Sequence, residues 1–417
     1  MKAIAATLAR LATFALTVGF GTVVGLIAIP IITAVVGSDA WAVQALVQAL
    51  ATLFGVLVAF GWGTVGPTMI AAAPASQRPQ MFADSLITRG YLFLLTAPLM
   101  AGVMVLLQPS HALFVVVSSL AYLLPYVGAS WYFIGEAKPS RLFLLDALPQ
   151  LVGTIAGLLV LTATHDFILL VATQLIFNLT AVILSSILIL KGTADLNFDY
   201  SIRSSLVRMA LQRHGVITAA TGSLYVNLPI VAVNLLLPAQ LNIYAFADRL
   251  FRFSATAFSP ILQFIQGWIP EGGSRVIAHR IRRASQAAPI LGVVGGAVLA
   301  LLGPTAAELL VKDPIDFGFR LSLPIGLSFA AVALSQVLGL ACLVAIGRAK
   351  ELAKSTVVGA IFGIPLILAG ALLAGVVGVA WGVAVSEMLV AGFQFIVLHR
   401  YFRSEDRSRD SVRSLNT

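Results

Sequence analysis

Long apolar runs separated by short polar interruptions dominate this chain, and no run alternates with period two. Twelve runs can be read, at 11–36, 41–73, 86–107, 111–135, 147–163, 167–190, 214–237, 241–270, 288–311, 321–346, 355–374 and 377–399. A helix of about 20 apolar residues crosses a bilayer, and in lipid each segment must satisfy its own backbone hydrogen bonds. The pattern predicts an all-α polytopic membrane protein with twelve transmembrane helices. A β-barrel would need short alternating strands instead. The first run follows Lys2 and Arg10 in the manner of a signal peptide, but it is too long for a signal core and reads as retained.

Composition agrees with that reading. The chain is 59% hydrophobic and 10% charged, with a mean hydropathy of +0.99, so its apolar side chains need lipid around them. Cys342 is the one cysteine, which excludes an intrachain disulfide; it reads as a small core hydrophobe.

The cations set an orientation. Loops after odd-numbered spans hold only Lys312 and Arg320, and Arg249 and Arg252 lie inside span eight. Every other Lys and Arg, Arg89 among them, is assigned to a terminal tail or to a loop after an even-numbered span. The positive-inside rule then places both termini in the cytoplasm. The formal net charge of +9 becomes a topology signal, and no nucleic-acid partner is expected. In the long loop 191–213, Ile202, Leu206, Met209 and Ala210 recur at helical spacing against Arg203, Arg208 and Arg213. That spacing suits an amphipathic helix on the cytoplasmic leaflet, with a plain solvated linker as the alternative.

This loop lies near the midpoint, which points to a duplicated half. Span four ends in IGEAK at 134–138 and span ten in IGRAK at 346–350; Pro30 of span one has a counterpart in Pro229 of span seven. Six spans per half preserve orientation, so the repeat is parallel, about an axis along the membrane normal. The expected organisation is an N-terminal six-helix bundle at 1–190, a cytoplasmic amphipathic linker at 191–213, a C-terminal bundle at 214–400 and a basic tail at 401–417.

Span eight carries the strongest functional signal. At about 100° per residue, Asp248, Arg249, Arg252, Thr256, Ser259, Gln263 and Gln266 fall within one sector of about 100°, opposite Ile243, Phe246, Leu250 and Phe253. A guanidinium in an apolar span costs at least about 2.5 kcal/mol, so an intramembrane pair of them marks a site that handles an anion. Two structural readings compete. Asp248 and Arg252 form an i,i+4 pair, and Arg249, about 12 Å along the helix from the turn at Pro238, could reach the outer headgroups. Yet one carboxylate cannot neutralise two guanidiniums, and the stripe continues inward.

On span two, Gln44, Gln48, Thr52 and Gly55 repeat the steps of Asp248, Arg252, Thr256 and Ser259. If the halves face one another, the N-terminal half offers neutral amides to a central cavity and the C-terminal half offers the cations. Asn227 and Asn234 share a face beside Pro229 on span seven and are added to the candidate substrate contacts. Glu387 in span twelve is either a protonatable coupling residue or a packing carboxyl. Gln174 and Asn178 read as interhelical hydrogen-bonding residues, and Gly21/Gly25 and Gly359/Gly363 as close-packing pairs. The chain has no G-x-x-x-x-G-K-[ST] loop, no catalytic triad and no metal-ligand cluster around His111 or His165. Neither a cofactor nor an enzymatic reaction is expected.

Twelve spans in two bundles, WYFIG at 131–135, IGRAK at 346–350 and VVGVAWGVAVSE at 376–387 resemble the polysaccharide exporters of the multidrug/oligosaccharidyl-lipid/polysaccharide superfamily. The resemblance covers almost the whole chain. Its O-antigen and repeat-unit flippase branch implies movement of a polyprenyl-diphosphate-linked oligosaccharide across the bacterial inner membrane. It also implies a monomer whose partners are that glycan, the membrane lipid and a polysaccharide polymerase or glycosyltransferases. The related lipid II flippases place cations in the central cavity, a role that Arg249 and Arg252 would take here. Spans one and two carry no cation, which departs from the lipid II pattern. The alternatives are a lipid II flippase and a cation-coupled multidrug antiporter, although spans one and seven lack the carboxylates the latter needs. A major-facilitator carrier, a sugar polymerase and a scramblase-like scaffold fit less well.

Overall fold

The computed structural model describes residues 2–63, 65–191, 196–271 and 276–415; the side chains of 2–18, 211–215, 217–219, 221, 267, 270, 271, 349 and 404–415 lie outside that description. The helices are α1 (Lys2–Ala59), α2 (Gly66–Ala72), α3 (Arg78–Leu107), α4 (Ala112–Leu123), α5 (Ser130–Gly135), α6 (Pro139–Leu142), α7 (Leu148–Thr164) and α8 (Phe167–Leu190). They continue with α9 (Ile202–Leu236), α10 (Leu241–Glu271), α11 (Ile277–Leu310), α12 (Phe319–Gln336) and α13 (Ala349–Leu415). Among the described residues there is no strand. Eight helical segments are long and apolar enough to cross a membrane. Two of these hold a break, and with α9 and α10 the described residues give twelve long helical segments. The chain is an all-α, multi-pass membrane protein.

Both breaks have a local cause. In α1 it falls at Gly37, whose φ of 83° lies in the left-handed region that glycine alone enters freely. In α13 it falls at Ala374 and Gly375 (φ 62°), where the freed Val376 N–H donates to Gln240 Oε1 at 3.1 Å. Each coincides with a gap between neighbouring apolar runs.

The chain forms two compact units: residues 1–234 with 309–314, and residues 235–308 with 315–417. In unit 1, α8 packs on α7 and α4, and the helices are tied by buried amides. Gln44 Nε2 donates to the Tyr122 hydroxyl (2.5 Å), which donates to Gln174 Oε1 (3.0 Å); Asn178 Nδ2 donates to the Ala121 carbonyl (2.8 Å). Interhelical bonds of this kind each contribute roughly 0.6 kcal/mol in a membrane. At one end of the unit an aromatic cluster of Trp62, Phe82, Trp131, Tyr132 and Phe133 closes over Ile70.

The 191–213 segment is not a separate linker helix over its described part. From Ile202 it is the first turns of α9, which runs unbroken to Leu236. Arg208 reaches Asp84 of α3 at 2.9 Å, Ser205 is buried near Thr88, and Gln80 bonds the backbone of Asn197. Its polar side is occupied by α3, while Ile202 and Leu206 remain exposed. Arg213 lies among the side chains left undescribed.

The repeat motifs mark real turns, two residues out of register. In the first, Ala137 is left-handed (φ 53°) and the Lys138 N–H donates to the Phe133 carbonyl; in the second, Gly347 is left-handed (φ 73°) and the Arg348 N–H donates to Leu343. These are matching helix-ending turns. Identity of the letters aligns Ala137 with Ala349, whereas geometry aligns it with Gly347. A Cβ in the left-handed region costs about 1–2 kcal/mol. Ala137→Gly should therefore raise thermal stability, by up to about 1 kcal/mol after the added unfolded-chain entropy; an unchanged or lowered melting temperature would contradict this.

Unit 1 includes residues 309–314, which are anchored beside the Gly37 break. Asp313 accepts from the Ser38 N–H (2.9 Å) and hydroxyl (2.7 Å), and the Lys312 N–H donates to Thr33 Oγ1. The backbone bond from Ser38, followed by the hydroxyl bond, holds the Asp313 carboxyl below its ordinary 3.8. A depressed carboxyl keeps its contact above the ordinary value and loses it as pH falls through the lowered one. Deuterium uptake around Ser38, corrected for intrinsic rate, should stay flat from neutral pH to the ordinary aspartate range and rise only below it. A rise centred above that range would contradict the contact.

Close helix approaches in unit 2 include Gly296 with Gly326 and Gly370 with Gly378, where an added Cβ would meet the partner's carbonyl oxygen. Gly21, expected to be such a site, has nothing within 4 Å of its Cβ position.

Candidate substrate-binding site

Helix α10 presents the predicted stripe. Its first turns are anchored in unit 2 by Tyr244, Ala245, Phe246 and Ala247, all buried, with Phe246 edge-on to Phe317 at 5.1 Å. Further along, Phe258 meets Phe329 and Leu262, Ile265 and Ile269 are buried. The polar side is open by comparison: Asp248, Arg249, Arg252, Thr256, Ser259 and Gln266 are half-buried and Gln263 is exposed.

Within the stripe, Arg252 Nε donates to Asp248 Oδ2 at 2.7 Å, and the Thr256 hydroxyl bonds back to the Arg252 carbonyl. The Arg249 guanidinium lies 5.6 Å from the Phe253 ring centre. The i,i+4 pair foreseen in the sequence is thus formed, and it leaves the three ionised groups with a formal charge of plus one. A planar guanidinium fork suits phosphate oxygens better than a point charge would.

The other predicted contacts divide by burial. Gln48 and Thr52 on α1 are half-buried, with the Thr52 hydroxyl bonded to the Gln48 carbonyl. Gln44 is buried on Tyr122. Asn227 is buried with its amide on Ser223, and the Asn234 oxygen accepts from Gln108 at 2.5 Å. These three are engaged inside unit 1. Gly55 is no part of a polar stripe: its Cβ position lies 2.4 Å from the Tyr126 ring. Glu387 is half-buried on α13, and Gln394 donates across that hairpin to Ser355 at 2.8 Å. Among the described residues no group of three His, Cys, Asp or Glu is placed to hold a metal ion.

Arg89 corrects the cation count. It belongs to no loop: α3 begins at Arg78, and Arg89 is only 1% exposed within it. The helix that follows is interrupted at Leu124–Val127, which frees carbonyls inside the unit. Arg89 Nη1 donates to two oxygens there, of Tyr126 (3.1 Å) and Gly128 (2.8 Å), and the guanidinium lies 5.5 Å from the Trp131 ring centre. The N-terminal unit therefore holds a buried cation as well as neutral amides. The apolar run at 86–107 has Arg89 near its edge, where hydropathy groups it with the loop cations.

No protein-family model matches the chain, and no curated protein does. Solved structures do match. The inward-facing structure of a multidrug resistance MATE family transporter of the MOP superfamily superposes with a TM-score of 0.66 at 14% identity, over 93% of this chain and 99% of that one. The lipid II flippase MurJ in its inward closed conformation gives 0.65 at 12% identity, over 93% and 87%. A Vibrio cholerae MATE transporter, VcmN, gives 0.57 at 13% identity, over 97% and 99%. At these identities the likeness shows the fold: the helical architecture shared by these multidrug transporters and the lipid II flippase.

Proposed function

We propose that the chain is an alternating-access flippase. It moves an anionic polyprenyl-(di)phosphate-linked oligosaccharide from the cytoplasmic to the outer leaflet of a bacterial inner membrane, without hydrolysing ATP. The observation that carries this reading is the α10 stripe, where Arg249 and Arg252 share one helix face with Asp248, half-buried Thr256 and Ser259, and the glutamines that follow. Arg249 and Arg252 take the phosphates, Thr256, Ser259 and Gln263 replace water around them, and the polyprenyl tail stays in lipid. The lipid II flippase among the structural neighbours supports a lipid-linked substrate on this fold. The cation asymmetry supports cytoplasmic termini.

An interior-negative potential favours outward movement of an anion by about 2.3 kcal/mol per charge per 100 mV, which removes the need for a nucleotide. In proteoliposomes carrying a fluorescent polyprenyl-diphosphate sugar in the inner leaflet, an imposed interior-negative potential should speed its appearance outside. An unchanged rate would remove the potential as driving force, and no movement at all would remove the function. A multidrug antiporter is the second reading, favoured by the half-buried Glu387 and by the transporters the fold matches. It predicts efflux of cationic dyes from the same vesicles.

A further inference from the structure

Unit 1 contains a cavity of about 440 Å³ beside Arg89, within the range of small-molecule pockets. Its wall includes Arg89, Asp146, Gln150, Ser130 and the rings of Tyr126 and Trp131. Two donors on these residues are buried without a hydrogen-bond partner: Arg89 Nη2 and the Trp131 indole N–H. An unmet buried donor costs about 1–3 kcal/mol, more when charged, so a small side-chain shift that turns either donor to an acceptor in the cavity would be favoured. Each of the two aromatic rings packs closely on a glycine. Tyr126 lies against Gly55 and Trp131 against Gly66, each so close that a Cβ on the glycine would sit 2.4 Å from a ring carbon.

The chemistry of the wall selects among ligands. A phosphate would gain Arg89 but meet the Asp146 carboxylate. A metal cation would gain Asp146 but meet Arg89. A neutral polyol satisfies both, because each hydroxyl donates and accepts, while its C–H face packs on aromatic rings. We propose that this cavity binds a pyranose ring, with Arg89 and the Trp131 N–H donating to hydroxyl oxygens and Asp146 and Gln150 receiving hydroxyl protons. This deepens the flippase reading and rests on it in one respect: the ring is that of the transported glycan rather than a free sugar.

The test uses the purified full chain and two probes. Saturation-transfer NMR with glucose, N-acetylglucosamine and rhamnose should show transfer to at least one. Asp146→Asn and Gln150→Leu should each weaken that signal about fivefold, the loss of one hydrogen bond of about 1 kcal/mol. Arg252→Ala should leave it intact. In proteoliposomes, Asp146→Asn should slow flipping of a sugar-bearing polyprenyl diphosphate and not of the bare carrier, a split that a folding defect would not produce. Absence of transfer to every sugar, or equal slowing of both carriers, overturns the proposal. If sugar binding persists while the wild-type chain moves no polyprenyl-diphosphate sugar at all, the cavity stands as a free-sugar site and the flippase reading falls.

Discussion

Replacing Arg249 and Arg252 together by alanine should slow flipping of a polyprenyl-diphosphate sugar by at least about a hundredfold. Each guanidinium contributes charge-assisted bonds of about 1.5–3 kcal/mol to phosphate oxygens, and every 1.4 kcal/mol is tenfold. Arg252→Ala alone should be nearly as damaging, because it removes a donor and also releases Asp248 from its 2.7 Å ion pair. An unpaired carboxylate then faces the substrate's anion. Asp248→Asn offers the contrast: the stripe becomes more positive, binding should tighten, and release of the diphosphate should become slower. Arg252→Lys keeps the charge but not the planar fork, so it should recover only part of the rate. Initial rates against substrate density in proteoliposomes separate these cases. A wild-type rate in the double variant would remove the stripe from the mechanism.

The second large effect concerns packing. A Cβ on Gly378 would sit 2.0 Å from the Gly370 carbonyl oxygen, and one on Gly370 would sit 2.2 Å from the Gly378 oxygen. Both obstacles are backbone, so no side-chain rotation relieves them. The two arms of α13 would have to separate. Overpacking typically costs about 1–3 kcal/mol, and a backbone clash on both sides falls at the upper end. Gly378→Ala should lower the thermal transition of the detergent-solubilised protein by several degrees, and Gly378→Leu should prevent accumulation in the membrane. Gly21→Ala, whose Cβ would enter open space, should leave the transition unchanged. Equal behaviour of the Gly21 and Gly378 variants would show that the close approach does not matter.

Which of these features the sequence discloses follows from the physics of each. The breaks at Gly37 and Gly375 lie where apolar runs pause, because a chain reversal at a membrane edge needs short polar or left-handed residues there. The α10 stripe is legible because helix geometry alone gathers residues three and four apart. Arg89 is not. Its partners are carbonyls freed by the interruption at Leu124–Val127, far away in sequence, and hydropathy at the start of a span cannot separate a snorkelling arginine from a buried one. Gln44, Asn227 and Asn234 show the same limit. A polar residue on a helix face can line a cavity or bond a neighbouring helix, and only the neighbour decides. The repeat is legible in matching letters, yet the left-handed turn residue is Ala137 in one half and Gly347 in the other.

A photo-crosslinking amino acid placed on α10 would test the central claim most directly. Substituted at Thr256, on the polar side, it should capture a radiolabelled polyprenyl-linked sugar in membranes; at Ile261, exposed on the opposite side, it should capture only bulk lipid. Excess unlabelled lipid-linked sugar should erase the Thr256 adduct. Capture at Ile261 but not at Thr256, or a Thr256 adduct that survives competition, would contradict the assignment of the α10 stripe to the diphosphate.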